Sequence, residues 1–225
     1  MNRVAYWYLS SIGAKLVMAI TGIMLFGFVI GHLMGNLLMF AGQEAVNTYA
    51  QWLKDRGLLL WVVRAGLLAV FVVHIASAFR VWRLNRAARP EPYDVSKFLT
   101  TTYAARTIMV SGVIVMAFVA YHLMHYTLGI TNPEFMGLVD SQGRHNVYRM
   151  VIQGFSSVPV SVVYLIAVLL LGMHLSHGVT SFFQTLGLHG SKFSAFTAKL
   201  GPVCGLLIFI GYASIPMAVL SGILK

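Results

Sequence analysis

Gly31-His32-Leu33-Met34-Gly35-Asn36 lies late in an apolar run that spans about residues 15–40. At 1.5 Å per residue a helix of that length exceeds the ~30 Å of a bilayer core, so the run reads as a membrane span with an imidazole inside it. Four more apolar runs follow at about 58–82, 106–129, 158–183 and 200–224. Three of them also carry histidine late in the run: His74, His122 with His125, and His174 with His177. The chain therefore reads as a single all-α integral membrane domain over 1–225, a bundle of five transmembrane helices.

Composition agrees. Of 225 residues 58% are hydrophobic and 10% charged, where a soluble domain carries about a quarter charged. The formal charge of +10 comes from basic residues clustered between apolar runs, a pattern that suits anionic lipid headgroups and the positive-inside bias. Nucleic acid is not an expected partner, because no groove-reading motif or aromatic-basic stripe is present. Cys204 is the only cysteine, which excludes an internal disulfide, a four-cysteine iron–sulfur site and a C-x-x-C-H haem attachment. The first run is too long for a signal peptide and lacks a small-x-small cleavage site, so it is expected to stay in the mature protein.

Residues 1–14 read as a short amphipathic segment, with Arg3, Tyr6, Trp7 and Tyr8 suited to the interface. Residues 42–56 form a polar link, and 130–153 the longest loop. Arg80, Arg83, Arg86 and Arg89 make a basic helix end stopped by Pro90 and Pro92. One side holds ten basic residues (Arg3, Lys15, Arg80, Arg83, Arg86, Arg89, Lys97, Arg106, Lys192, Lys199), and the other six (Lys54, Arg56, Arg64, Arg144, Arg149, Lys225). The positive-inside rule then places the N-terminus in the cytoplasm and the C-terminus outside.

That topology sorts the histidines by depth. His32 and His122 fall roughly 6 to 8 Å past the midpoints of two outward-running helices, while His74 and His174 fall roughly 5 to 6 Å past those of two inward-running ones. A lone intramembrane histidine is usually a packed, hydrogen-bonded core residue. Four at two matched depths point instead to two pairs of axial ligands, each holding one b-type haem, on the order of 12 Å apart in depth. Zinc would want four ligands converging on one point. No carboxylate lies within the spans to make a proton relay. Gly31, Gly35 and Gly178 offer flat helix surfaces to a macrocycle, although small-residue helix packing explains them equally well. Depth prefers His122 to His125 and leaves His174 and His177 open. The competing class is a histidine-dependent transporter or proton channel without haem. It would bring inverted repeats or broken helices, which the spacing of the runs does not show.

Haem propionates need cations. Arg64, about ten residues before His74, reads as a partner at the outer haem or as a snorkelling side chain. Lys15, Arg80 and Arg106, at cytoplasmic helix ends, read as partners at the inner haem or as lipid contacts. A quinone site has two candidate sets: Glu44, Asn47 and Tyr49 at the outer end, or Ser10, Ser11 and Lys15 at the inner end. Trp52, Trp61 and Trp82 read as interface residues.

Together the motifs carry a resemblance. Ser11-x-x-x-Lys15 leads to Ala19-x-Thr21-Gly22. There follow Gly31-His32-Leu33-x-Gly35-Asn36, Asn47-x-Tyr49-Ala50-x-x-Leu53 and Tyr121-His122-Leu123-x-His125-x-Thr127. The last is His174-Leu175-x-His177-Gly178-x-x-Ser181-x-x-Gln184-Thr185-Leu186-Gly187. Over about residues 10–222 the chain resembles the cytochrome b membrane-anchor subunit of type B succinate dehydrogenase/fumarate reductase, a five-helix, two-haem family. The resemblance implies axial ligands at His32, His74, His122 and His174, the last preferred to His177 by its distance from Gly178 and Gly187. It also implies a flavoprotein subunit and an iron–sulfur subunit docked on the cytoplasmic face, a quinone substrate, expected to be menaquinone, and residence in a bacterial cytoplasmic membrane. The chain would then serve as the membrane subunit of an enzyme whose dicarboxylate site is on another chain. Some fumarate-reducing members have a glutamate two residues before the fourth ligand. Here that residue is Gly172, which favours succinate oxidation.

Overall fold

Ser10 starts the first helix, its hydroxyl accepting the backbone N–H of Gly13 at 3.0 Å, as an N-cap serine does. The computed structural model describes residues 10–88, 101–188 and 194–225. The interfacial reading of Arg3, Tyr6, Trp7 and Tyr8, the stop at Arg89, Pro90 and Pro92, and the charges of Lys97 and Lys192 lie outside the described residues.

Helix α1 (Ser11–Leu37) tightens into a 3-10 turn, Leu38–Ala41, and ends at Gly42, whose φ of 95° is unstrained only for glycine. α2 (Gln43–Lys54) follows, then α3 (Leu58–Ala87) and a short α4 (Tyr103–Arg106). α5 (Ile108–His122) runs into a π-turn, Leu123–Thr127. A 3-10 turn at Pro133–Gly137, α6 (Val147–Ser156), α7 (Val158–Thr185) and α8 (Ser194–Leu220) complete the chain. Among the described residues five stretches are long and apolar enough to cross a membrane: Ser11–Ala41, Leu58–Ala87, Ile108–Thr127, Val158–Thr185 and Ser194–Leu220. This is the architecture of a multi-pass membrane protein. The spans alternate between an N-terminal end, with Ser10, Ala87 and Thr185, and an opposite loop end, with Gly42, the 130–157 segment and Lys225.

Several boundaries differ from those read in the sequence. α1 begins at Ser11 because Ser10 caps it, so Lys15 is inside the helix. α3 extends to Ala87, taking in Arg80, Arg83 and Arg86. α8 begins at Ser194 and stops at Leu220, where Gly222 at φ 74° turns the chain and Ile223 N–H returns to Ala218 O at 2.9 Å. The 42–56 link and the 130–153 loop each contain a helix, α2 and the first part of α6. Both are short and amphipathic, and both belong to one polar latch.

At the centre of that latch is Asn47, which is fully buried. Its Nδ2 donates to Asp140 Oδ2 at 3.1 Å and Asn146 Oδ1 at 3.2 Å, and its Oδ1 accepts from Tyr148 N–H at 3.1 Å. Arg144 donates to Asp140 from Nε at 2.8 Å and to both oxygens of Glu44 at 3.0 and 2.8 Å. Asp140 Oδ1 also accepts from the N–H groups of Gln142 and Arg144. Glu44 and Asn47 are therefore engaged in fastening α2 to the loop, which leaves them little hydrogen-bonding capacity for a quinone. Tyr49 stacks on Trp52 and lies against Gly35, where a Cβ would come within 2.7 Å of its ring.

Between spans, small residues set the approach. A Cβ on Gly172 would meet the carbonyl of Gly205 at 2.7 Å, and Gly201 and Gly205 face Ser176 O and Gly172 O as closely. α7 and α8 thus form the tightest pair in the bundle, as small-residue seams allow in membranes. Gly172 therefore stands where no carboxylate side chain fits. α3 packs chiefly along α1, and of its residues only Ser77 is buried.

Gly205→Ala is expected to lower stability in detergent by about 1–3 kcal/mol through overpacking, whereas Gly66→Ala, with open space around it, should leave it unchanged or slightly higher; thermal unfolding followed by circular dichroism compares the two. Burial alone would raise the Asp140 carboxyl, but the Arg144 N–H and guanidinium, the Asn47 amide and the Gln142 N–H together hold it at about 2. Because the folded value is depressed, the latch is at full strength above the usual carboxylate value near 4 and weakens as pH falls towards about 2. Hydrogen exchange at 140–148 should accelerate over that window, and Asp140→Asn should show the same acceleration at neutral pH.

Candidate functional site

The four histidines occupy two levels of the bundle. His32 follows Thr21 by eleven residues on α1, and His122 follows Ser111 by eleven on α5. Eleven residues at 100° each return to the same helix face within about 20°, roughly 16 Å further along the axis. Each of these helices thus presents a hydroxyl at one level and an imidazole at the other. The returning helices complete the levels: His74 of α3 meets Thr21, and His174 of α7 meets Ser111. The spacing between levels, read from these eleven-residue intervals, is wider than the ~12 Å expected from span midpoints.

At the N-terminal-end level, His74 Nδ1 is 3.2 Å from Thr21 Oγ1, and His174 Nδ1 is 3.3 Å from Ser111 Oγ. Both hydroxyls donate their hydrogen to their own helix: Thr21 to Val17 O at 2.7 Å, Ser111 to Ile108 O at 3.0 Å. With the Thr21 and Ser111 hydrogens directed to their own helices, the consistent assignment puts hydrogen on each Nδ1 and leaves a lone pair on each Nε2. Glycines next to the hydroxyls allow the approach: a Cβ on Gly22 would sit 3.2 Å from His74 Cε1, and one on Gly112 3.3 Å from His174 Cε1. The two imidazoles are close enough to interact electrostatically.

At the loop-end level, the His32 and His122 rings are 5.9 Å apart between centroids and nearly perpendicular, at 78°. Two imidazoles sharing one metal ion through bonds of roughly 2 Å would have centroids roughly 6 Å apart. His32 stacks on Phe28, 5.4 Å away at 12°, and its carbonyl accepts Asn36 Nδ2 at 2.6 Å. Leu33 packs on α8, where a Cβ on Gly211 would come within 2.7 Å of it. The Phe28 and Asn36 contacts are thus made within α1, and Leu33 joins that helix to α8. His122 Nδ1 lies 3.3 Å from the Tyr164 hydroxyl, and His125 Nδ1 3.0 Å from the same oxygen. The π-turn after His122, closed by Leu128 N–H on Leu123 O at 2.8 Å, brings both rings to one phenol, in keeping with the occurrence of π-turns at functional sites.

Other candidates are more dispersed. Arg64 is exposed, its guanidinium over the Trp61 ring at 5.1 Å. Arg106, also exposed, lies over Tyr103 at 5.7 Å, and Lys15 is exposed. Arg80 is half-buried and lines a groove with Ala76, Phe79, Arg83, Leu84 and Ala87. His177 is half-buried one turn beyond His174. Sequence reasoning missed Thr21, Ser111 and Tyr164. The available signal was a repeat, Thr21-Gly22 and Ser111-Gly112, each with histidine ten residues after the glycine.

Among the described residues no group of three or more His, Cys, Asp or Glu side chains could hold a metal ion; the imidazoles come in twos. An imidazole with Nδ1–H anchored and Nε2 available is the form in which histidine ligates metal. Such pairs, with no carboxylate beside them, suit a metal that brings its own equatorial ligands. No family model, curated protein or solved structure matches the chain.

In 15N spectra of histidine-labelled protein, His74 and His174 should both carry their hydrogen on Nδ1. Assignment of it to Nε2 would contradict the hydrogen-bond directions above.

Proposed function

We propose that this chain is the dihaem cytochrome b anchor of a succinate:quinone oxidoreductase, with His32 and His122 ligating one haem b and His74 and His174 the other. The observation that carries this reading is the sorting of four histidines of the candidate spans into two pairs, one at each level of the bundle. His32 and His122 have centroids 5.9 Å apart, and His74 and His174 each set Nδ1 against a hydroxyl of another helix, Thr21 of α1 and Ser111 of α5. Bound haem supplies one-electron carriage between the two-electron chemistry of a dehydrogenase and that of quinone, expected to be menaquinone. The protein holds the imidazoles in place: Thr21 and Ser111 fix two rings by hydrogen bonds to Nδ1, and Phe28 fixes a third by stacking.

Cations at the N-terminal end, Arg80 with Lys15 and Arg106, are assigned to propionates or lipid headgroups. Arg64, lying over Trp61 on the exposed side of α3, is assigned to the interface rather than to the loop-end haem. The same end is the proposed cytoplasmic face, where a flavoprotein and an iron–sulfur subunit would dock, in a bacterial cytoplasmic membrane. Gly172 supports succinate oxidation as the net direction, since its seam with Gly205 leaves no room for an intramembrane carboxylate.

A reduced-minus-oxidised visible spectrum and pyridine haemochrome assay on the purified complex test the reading. About two b-type haems per chain are expected. His174→Ala should lose one of them and His177→Ala neither. A wild-type protein without haem would overturn the proposal and leave a histidine-dependent transporter or proton channel as the competing class.

A further inference from the structure

The two levels differ in how their imidazoles are held. At the N-terminal-end level each Nδ1 partner is an aliphatic hydroxyl whose own hydrogen goes to a carbonyl of the same helix, so the hydrogen-bond chain stops there. At the loop-end level the partner is the phenol of Tyr164, and that oxygen also faces His125 Nδ1. A hydroxyl has one hydrogen, so it donates to one ring and accepts from the other. If His122 ligates through Nε2, its Nδ1 carries hydrogen and must donate. Tyr164 then donates to His125, giving the order His122 Nδ1–H to Tyr164 O–H to His125 Nδ1.

The phenol has little freedom to do otherwise. Tyr164 is 5% exposed, and its ring is gripped edge-on by Phe118 and Phe155, both at 5.0 Å, with Tyr121 and Tyr126 at 5.9 and 5.8 Å. His125 is 1% exposed and lies between Tyr121, at 5.4 Å and 20°, and Tyr126, at 4.1 Å and 34°. Neither partner can swing aside for water or another side chain. An acceptor on the second nitrogen of a ligating imidazole orients the ring and raises its electron donation to the metal. A firmer donor stabilises the oxidised metal more than the reduced one.

We propose that Tyr164 is the positioning residue of the loop-end haem: it accepts from His122 Nδ1–H, orients that ring with support from His125, and thereby lowers the midpoint potential of that haem alone. This rests on the dihaem reading above. Its function is distinct from ligation, since Tyr164 acts only through His122.

Spectroelectrochemical titration of the purified complex tests it, taking as the loop-end component the one lost in His32→Ala. Tyr164→Phe should raise the potential of that component, leave the other unchanged and shift only the matching low-spin ferric EPR signal. Thr21→Val and Ser111→Ala should do the converse. His125→Leu should move the same component by less, and His125→Gln, whose amide oxygen accepts the phenol hydrogen, should restore it. If Tyr164→Phe does not assemble, the His125 pair reads the same junction. Unchanged potentials in Tyr164→Phe, in both His125 variants, or movement of the wrong component, would overturn this proposal alone. Absence of haem from the wild type would overturn it together with the reading beneath it.

Discussion

A histidine inside a helical bundle has two nitrogens to account for, and the hydrophobic interior supplies few partners for either. Here three of the four central imidazoles have Nδ1 bound by a hydroxyl on a facing helix: Thr21, Ser111 and Tyr164. Each bond crosses between spans, so the same contact that orients the ring also sets the register of one helix against the next. Shifting α3 by one residue along α1 would move His74 about 1.5 Å along the axis and turn it about 100° away from Thr21. Ring orientation and helix register are therefore one constraint.

A two-part plan follows from it. α1 with α3, and α5 with α7, repeat the same arrangement: hydroxyl and glycine, histidine one further level along, and a returning histidine against the hydroxyl. The halves diverge at the loop end. On α7 the residue ten before the histidine is Tyr164, buried against His122. On α3 it is Arg64, lying over Trp61 at the exposed surface. His32 accordingly rests on stacking with Phe28 where His122 rests on a hydrogen bond.

The spans were legible because apolar runs of that length have few alternatives, and the depth of each histidine could be counted from them. The polar latch was not. Glu44, Asn47, Asp140 and Arg144 are nearly a hundred residues apart in pairs, and nothing local distinguishes a residue bound across the molecule from a solvated loop residue. For the same reason α2 and α6 read as links, since their helical conformation depends on what they pack against. The hydroxyls of Thr21 and Ser111 were hidden differently. Thr and Ser in membrane helices usually bond their own backbone, as these two also do, so only the duplicated spacing to histidine marks them. Lys15 misled the start of α1, because a charge was read as an end where Ser10 provides the cap.

The uneven grip on the five spans has a consequence for how the bundle opens. α7 and α8 are joined by backbone-to-backbone contact at Gly172, Gly201 and Gly205, and the latch and aromatic box tie α2, α5, α6 and α7 together at the loop end. α3 leans chiefly on α1 and buries little but Ser77. Local opening costs least where the fewest contacts must be broken. The α3 edge is thus the side on which the helices part most cheaply, leaving the seam and the latch intact.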